Sequence, residues 1–407
     1  MLATLKSKPW RPLLLAGASL LVGGALAMPA LGADYAQTNL VTDNASALAA
    51  AGYAPAAHVD PNLINPWGIA RSATGGWIVA NAGSANVTSY NGSGVSLGAP
   101  IATPQSNNVG PAGATGLVYN SGPGFALPTG GPSQFLTANL DGSISGWNAA
   151  QGSTGVQVVA GRAGGNLQLY TGLATGVADG HPVLYAANGI TGNIDVYDQN
   201  FAPTKLMGGT FTDPTLANPN IPNSTGLTPF NVQNLDGNIW VTYATPGPNA
   251  DQAALGVGYV NEFTSDGTFI RRFATGGDLA SPWGIAIAPD NFGAYSGDVL
   301  IGNFVDGNYG YISAYNDASG AFQGLVTDGN GAPISISGLW GLEFGNGGQA
   351  GPSNGLFFAA GIGDEAHGLF GEISAVPEPT SWALMILGVG FAGAQLRLKR
   401  RRALVIC

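Results

Sequence analysis

Apolar runs of five to seven residues recur along this chain, each closed by a cluster of Gly, Asn, Asp or Ser. They read WIVANA from Trp77, QFLTANL from Gln134, VLYAANG from Val183, IWVTYA from Ile239, VLIGNF from Val299 and LFFAAG from Leu356. Runs so short, with alternating or continuous apolar character, predict strands rather than helices. Ahead of each stands a phrase built on a glycine: NPWGIA, ATGLVY, YTGLAT, STGLTP, SPWGIA and GLWGLE, marked by Gly68, Gly116, Gly172, Gly226, Gly284 and Gly341. Behind each comes a third run, ending in five units on Tyr90, Trp147, Tyr197, Phe263 or Tyr315 and reading GEISA in the sixth. The first five units close with an outer run: SLGAPIA, VQVVAG, PTKLMGG, FIRRFA and FQGLVTD. Six units of four short strands predict an all-β fold, a six-bladed β-propeller.

The sixth unit runs out after its third strand, because VPEPTS follows at once. The segment YAQTNLVTD, from Tyr35 to Asp43, precedes the first unit, belongs to none, and matches the outer run of unit five. The expectation is that this N-terminal strand pairs onto the last blade and closes the ring, removing an exposed sheet edge.

Composition refines the picture. Of 407 residues, 65 are Gly and 26 Pro, yet 45% are hydrophobic, enough for a large core. The single cysteine, Cys407, leaves the repeat region without disulfides or thiolate chemistry. Between residues 33 and 376 five basic residues (Arg71, Arg162, Lys205, Arg271, Arg272) face 22 acidic ones, a net of −17. No basic stripe is available for phosphate backbones, so nucleic acid is excluded as a partner class.

The two ends read as addresses. Lys6, Lys8 and Arg11 precede an apolar stretch from Leu13 to Ala27 and small residues around Ala30 to Ala33. That order is a secretory signal peptide over residues 1–32, with a retained N-terminal anchor as the alternative. At the other end Pro377-Glu378-Pro379 precedes an apolar stretch from Trp382 and a basic tail containing Arg400, Arg401 and Arg402. The stretch is short for a transmembrane helix, and its basic flank would hold the tail on the cytoplasmic side. These three parts, over residues 377–407, resemble the PEP-CTERM sorting signal of Gram-negative bacteria. The resemblance implies recognition by exosortase, a membrane-embedded protease, in bacteria that make exopolysaccharide. It implies an exported protein at the cell envelope, cell surface or outside the cell, transiently anchored to the membrane. The repeat units, with Pro-x-Gly-Ile-Ala, an apolar run, Ala-Asn and an aromatic-terminated strand, are similar to NHL-type propeller repeats. Residues 33–376 form the propeller on this reading.

Chemistry is sparsely marked. There is no Gly-x-Ser-x-Gly elbow, and His58, His181 and His367 form no close pair. Asp364, Glu365 and His367 make the nearest approach to a catalytic cluster, and also read as a solvated loop. Oxygen-rich turns at Asn139, Asn234, Thr264 and Asn303 would suit calcium, but Asp-Gly and Asn-Gly pairs are equally hairpin turns. Asn81, Asn139, Asn188 and Asn303 recur at the end of the second strand, either capping their own turns or forming a polar ring for a sugar or cation. Trp67, Trp283 and Trp340 recur on inner strands, as core packing or as sugar-stacking platforms. Glu343 follows a marker Gly-Leu pair and is the candidate channel carboxylate for a metal. No catalytic residue is assigned. The expectation is a binding or scaffold protein for extracellular polysaccharide or a surface protein. A divalent-cation-dependent, lactonase-like hydrolase is the alternative.

Overall fold

A computed structural model describes residues 35–106, 113–161, 168–215, 226–245, 255–304 and 310–376. The expected signal peptide and the sorting signal, including Pro377, Glu378, Pro379, Arg400, Arg401 and Arg402, lie outside these residues. So does the apolar stretch proposed as a membrane helix.

Six antiparallel sheets follow one another along the chain as the blades of a propeller. Their inner strands are Pro66–Arg71, Ala114–Tyr119, Tyr170–Ala178, Thr228–Leu235, Pro282–Ile287 and Leu339–Phe344. The short apolar runs form the second strands, and the faces of neighbouring sheets pack through buried Val, Ile, Leu, Phe and Tyr. In blade six, Leu339–Phe344, Leu356–Ala360 and Leu369–Ala375 are completed by Tyr35–Thr42, which pairs antiparallel with Leu369–Ala375 from Tyr35↔Ala375 to Thr42↔Leu369. The predicted closure is the observed one.

Several contacts lock it. The Tyr35 hydroxyl donates to the Phe292 carbonyl at 2.9 Å, and its ring stacks on Tyr295. Asp43 accepts from the Gly368 amide at 2.8 Å and lies 2.8 Å from His367 Nδ1. Beyond the strand, Asn44 caps the helix Ala45–Ala50 by accepting from the Ser46 and Ala47 amides. His58–Val59 then adds a parallel fifth strand.

Two local expectations differ from the structure. In blade three PTKLMGG is not a strand: one bridge, Tyr197↔Pro203, is all that pairs. Pro203 cannot donate to a ladder, and Gly209 turns away to donate to the Asp266 carbonyl in blade four. In blade four the marker position is Asn231, not Gly226. At the propeller centre the inner strands approach so closely that a Cβ on Gly116 would lie 2.4 Å from the Leu173 amide, and one on Gly172 would meet Asn231. Pro229-Phe230-Asn231 therefore stands where Pro66-Trp67-Gly68 stands in blade one. Asn231 fits by turning its amide onto the Trp283 carbonyl at 2.9 Å.

Candidate functional site: a channel closed at one end

Each inner strand enters the centre at the same end, so the residues before the markers converge there. Trp67, Phe230, Trp283 and Trp340 form one buried cluster with Ala82, Ala244 and Phe304. Trp67 stacks on Trp340 with ring centroids 3.6 Å apart. Trp283 meets both edge-on, while Phe304 stacks on Trp340 at 4.0 Å. Two of the three indole nitrogens are turned to local acceptors, Trp67 Nε1 donating to Asn65 at 3.0 Å and Trp283 Nε1 to the Thr171 carbonyl of blade three at 3.2 Å, whereas Trp340 Nε1 is buried without one among the described residues. Contacts between blades one, three, four, five and six meet in this layer, which plugs the channel. The three tryptophans are at most 6% exposed and present no open stacking face.

The recurring asparagines lie at this same end but point into their own blades. Asn81 donates to Asn86 and Thr88 at 2.9 and 3.0 Å. Asn139 donates to Ser143 Oγ at 3.0 Å and Asn303 to Ser313 Oγ at 3.0 Å. Asn188 donates to Asp195 at 2.9 Å, and its oxygen accepts from the Ile190 amide at 3.1 Å. All four are essentially without exposure.

At the opposite end the channel opens into a cavity of about 470 Å³, to which all six inner strands contribute. Its aliphatic wall includes Ile69, Leu117, Leu173 and Ile285, and its polar groups are Arg71, Tyr119, Thr175, Gln233, Asn234, Asp236 and Glu343. Inner strands have an unpaired edge here. Gln233 satisfies part of it by donating to the Ile285 carbonyl at 3.1 Å and accepting from the Ile285 amide at 2.8 Å. Arg71 Nε donates to the Phe344 carbonyl at 2.6 Å and lies 3.4 Å from Glu343 Oε1. Its guanidinium also sits over the Trp77 ring. Glu343 keeps 32% of its side chain exposed to the cavity. Burial pushes its carboxyl up to about 7, against the opposing pull of Arg71.

The structure thus places Glu343 in the cavity, and puts Trp67, Trp283 and Trp340 in the plug. Asp364 lines a second hollow of about 560 Å³ beside Gln37, Asn39 and Tyr53, while His367 is taken up by Asp43. Among the described residues no three His, Cys, Asp or Glu side chains gather as a metal ion needs. Arg71 and Gln233 were missed from sequence, and Asn234 was singled out only as part of an oxygen-rich turn. Each lies two or three positions beyond its marker, so the signal was present once blade four is registered on Asn231.

The PEP-CTERM protein-sorting motif matches residues 375–402, which implies export, cell-surface sorting and processing of the exosortase type. Two proteins of Acanthamoeba polyphaga mimivirus, uncharacterized proteins L690 and R648, are 32% and 34% identical over 330 residues. The match covers 78% of this chain in both cases, and 82% and 76% of theirs. Among solved structures, virginiamycin B lyase from Staphylococcus aureus is 12% identical, with a TM-score of 0.44 over 84% of this chain and 99% of that one. PQQ-bound aldose sugar dehydrogenase from Streptomyces coelicolor is 15% identical, with a TM-score of 0.45 over 84% and 99%. Neither likeness bears on what this chain binds.

Proposed function

The chain belongs to the family that includes the mimivirus proteins L690 and R648, and from that premise we propose that it is an exported binding protein of the cell surface whose axial cavity holds a segment of extracellular carbohydrate. The observation that carries this reading is a cavity of about 470 Å³, blind at the aromatic plug and open at the other mouth. That volume lies in the range of small-molecule sites, whose walls are largely apolar with a few placed polar groups. Here the hydroxyls of Thr175 and Tyr119, with the one N–H that the backbone-bonded Gln233 and Asn234 amides each keep, suit sugar hydroxyls. The sorting motif implies export and cell-surface sorting, which supports an extracellular ligand.

A second reading, hydrolysis of the bound glycan, has one observation in its favour. Glu343 is pushed up to about 7, which suits a proton donor at neutral pH, and Asp236 lines the same cavity. A calcium-dependent version finds no supporting carboxylate cluster among the described residues.

The test is an array of defined matrix oligosaccharides probed with the protein and with Thr175→Trp, which fills the mouth. Saturable binding that the variant loses at unchanged thermal midpoint supports the proposal. Absence of binding, or binding indifferent to Thr175→Trp, refutes it and leaves a surface protein as the partner to seek. Product release from a bound oligosaccharide, abolished by Glu343→Gln, would establish the hydrolytic reading instead.

A further inference from the structure

Resting on that reading, we propose that the axial cavity is selective for carboxylate-bearing sugars, with the Arg71 guanidinium taking the uronate group. Four observations converge on Arg71. The first is its isolation. Within a propeller of net charge −17 the described basic side chains elsewhere are committed or distant. Arg271 is paired with Glu262 and Asp317, Arg272 with Asp213, and Lys205 lies by a separate hollow on blade three. Arg71 is the one basic residue lining the cavity.

The second is its open fork. Nε is anchored on the Phe344 carbonyl at 2.6 Å, and the plane is held over Trp77, but neither terminal nitrogen has a hydrogen-bond partner among the described residues. A guanidinium fixed at Nε and free at both Nη atoms is preorganised for two parallel bonds to a planar carboxylate.

The third concerns competing acids. The titratable groups facing the cavity are Arg71, Tyr119, Asp236 and Glu343. Asp236 is exposed, on the turn after Thr228–Leu235, where solvent screens it. Glu343, with its carboxyl held up by burial, is largely protonated below neutral pH. In that state it carries no negative charge to compete for the guanidinium. The fourth is the surrounding chemistry. Thr175 and Tyr119 bring hydroxyl groups to the cavity, and the Gln233 and Asn234 amides, each already bonded to backbone, keep one N–H for a sugar acid's remaining hydroxyls.

The experiment compares trigalacturonate with its fully methyl-esterified form by calorimetry, on the protein, Arg71→Gln and Arg71→Lys, beside an array of other acidic and neutral glycans. The expected result is that acidic glycans dominate the array signal. Esterification or Arg71→Gln should weaken binding by about 10- to 100-fold, the factor that loss of a hydrogen bond to a charged group gives. Arg71→Lys should recover part of it. Binding of the acid should be tighter at pH 6 than at pH 8, and Glu343→Gln should flatten that dependence. Equal binding of acidic and neutral glycans, still blocked by Thr175→Trp, would overturn the uronate proposal and leave the glycan reading standing. Absence of all glycan binding would overturn both. Should Arg71→Gln fail to fold, the esterification contrast on the unaltered protein decides alone.

Discussion

Replacing Tyr35 by alanine should destabilise the whole propeller, not merely fray its N-terminus. Tyr35 is 1% exposed and belongs to the strand that completes blade six, yet its partners Phe292 and Tyr295 belong to blade five, more than 250 residues away in sequence. Two terms can be separated. Truncating a buried aromatic to alanine costs about 3–5 kcal/mol, because its surroundings only partly collapse. Tyr35→Phe keeps the ring but leaves the Phe292 carbonyl without its donor, a loss of about 1–3 kcal/mol. Urea unfolding of the three proteins reads both terms, and an unchanged m-value would show that the same cooperative unit is unfolding. If Tyr35→Ala lowers stability by less than about 1 kcal/mol, the N-terminal strand is an appendage and the ring holds without it.

Other outcomes follow from the same structure. Asp213, whose side chain is fully buried, accepts from Arg272 at 2.5 Å, Asn261 at 2.9 Å and the Thr215 amide at 2.7 Å. Burial pushes its carboxyl up, but the bonds from Thr215 and Arg272 outweigh that and hold it below the usual range. Its contribution is therefore present above the unfolded-state value and lost as pH falls. Asp213→Ala, which strands the Arg272 charge, should cost about 3–5 kcal/mol in urea unfolding at pH 7. Gly116→Ala should lower the thermal midpoint markedly, since the added Cβ meets neighbouring backbone at 2.4 Å. Because the Glu343 carboxyl is raised, the folded state loses stability as pH climbs from about 4.5 through 7. Glu343→Gln should match the parent at pH 4 and exceed it at pH 8, by about 1–2 kcal/mol once the water at its side is allowed for. Burial pushes the Tyr35 hydroxyl up to about 12 and also raises Tyr53, Tyr197 and Tyr295. Stability should therefore hold below pH 10 and fall between pH 10 and 12, followed by circular dichroism.

The fold was readable because its signals are redundant. Each blade repeats the same succession of apolar runs, and the two LVTD phrases identify equivalent outer strands even though one opens the ring and the other sits in blade five. Register was harder. In blade four Gly226 looks like the marker, whereas the backbone uses Asn231, whose side chain escapes the crowded centre by bonding to Trp283. That shift hid Gln233, and left Asn234 as a turn residue rather than one that lines the cavity. Side-chain direction was not readable either. Asn81 and Arg71 belong to one blade, but Asn81 turns into its sheet while Arg71 faces the cavity. Only the packing of inner strands separates the two. Blade three's outer run failed for a local reason, a proline at its start and Gly209 drawn to blade four at its end.

We propose a channel sealed by aromatics at one end and open to a glycan at the other. Because the propeller region contains no cysteine, single thiols can probe it directly on a Cys407→Ser background. The measurement is the native-state rate of alkylation of Thr175→Cys, in the cavity, and of Thr171→Cys, in the plugged end of the same strand. Labelling should be fast at position 175, slowed by a saturating acidic oligosaccharide, and negligible at position 171. Equal labelling of both positions, or no protection of position 175 by any glycan that binds, would contradict the proposal.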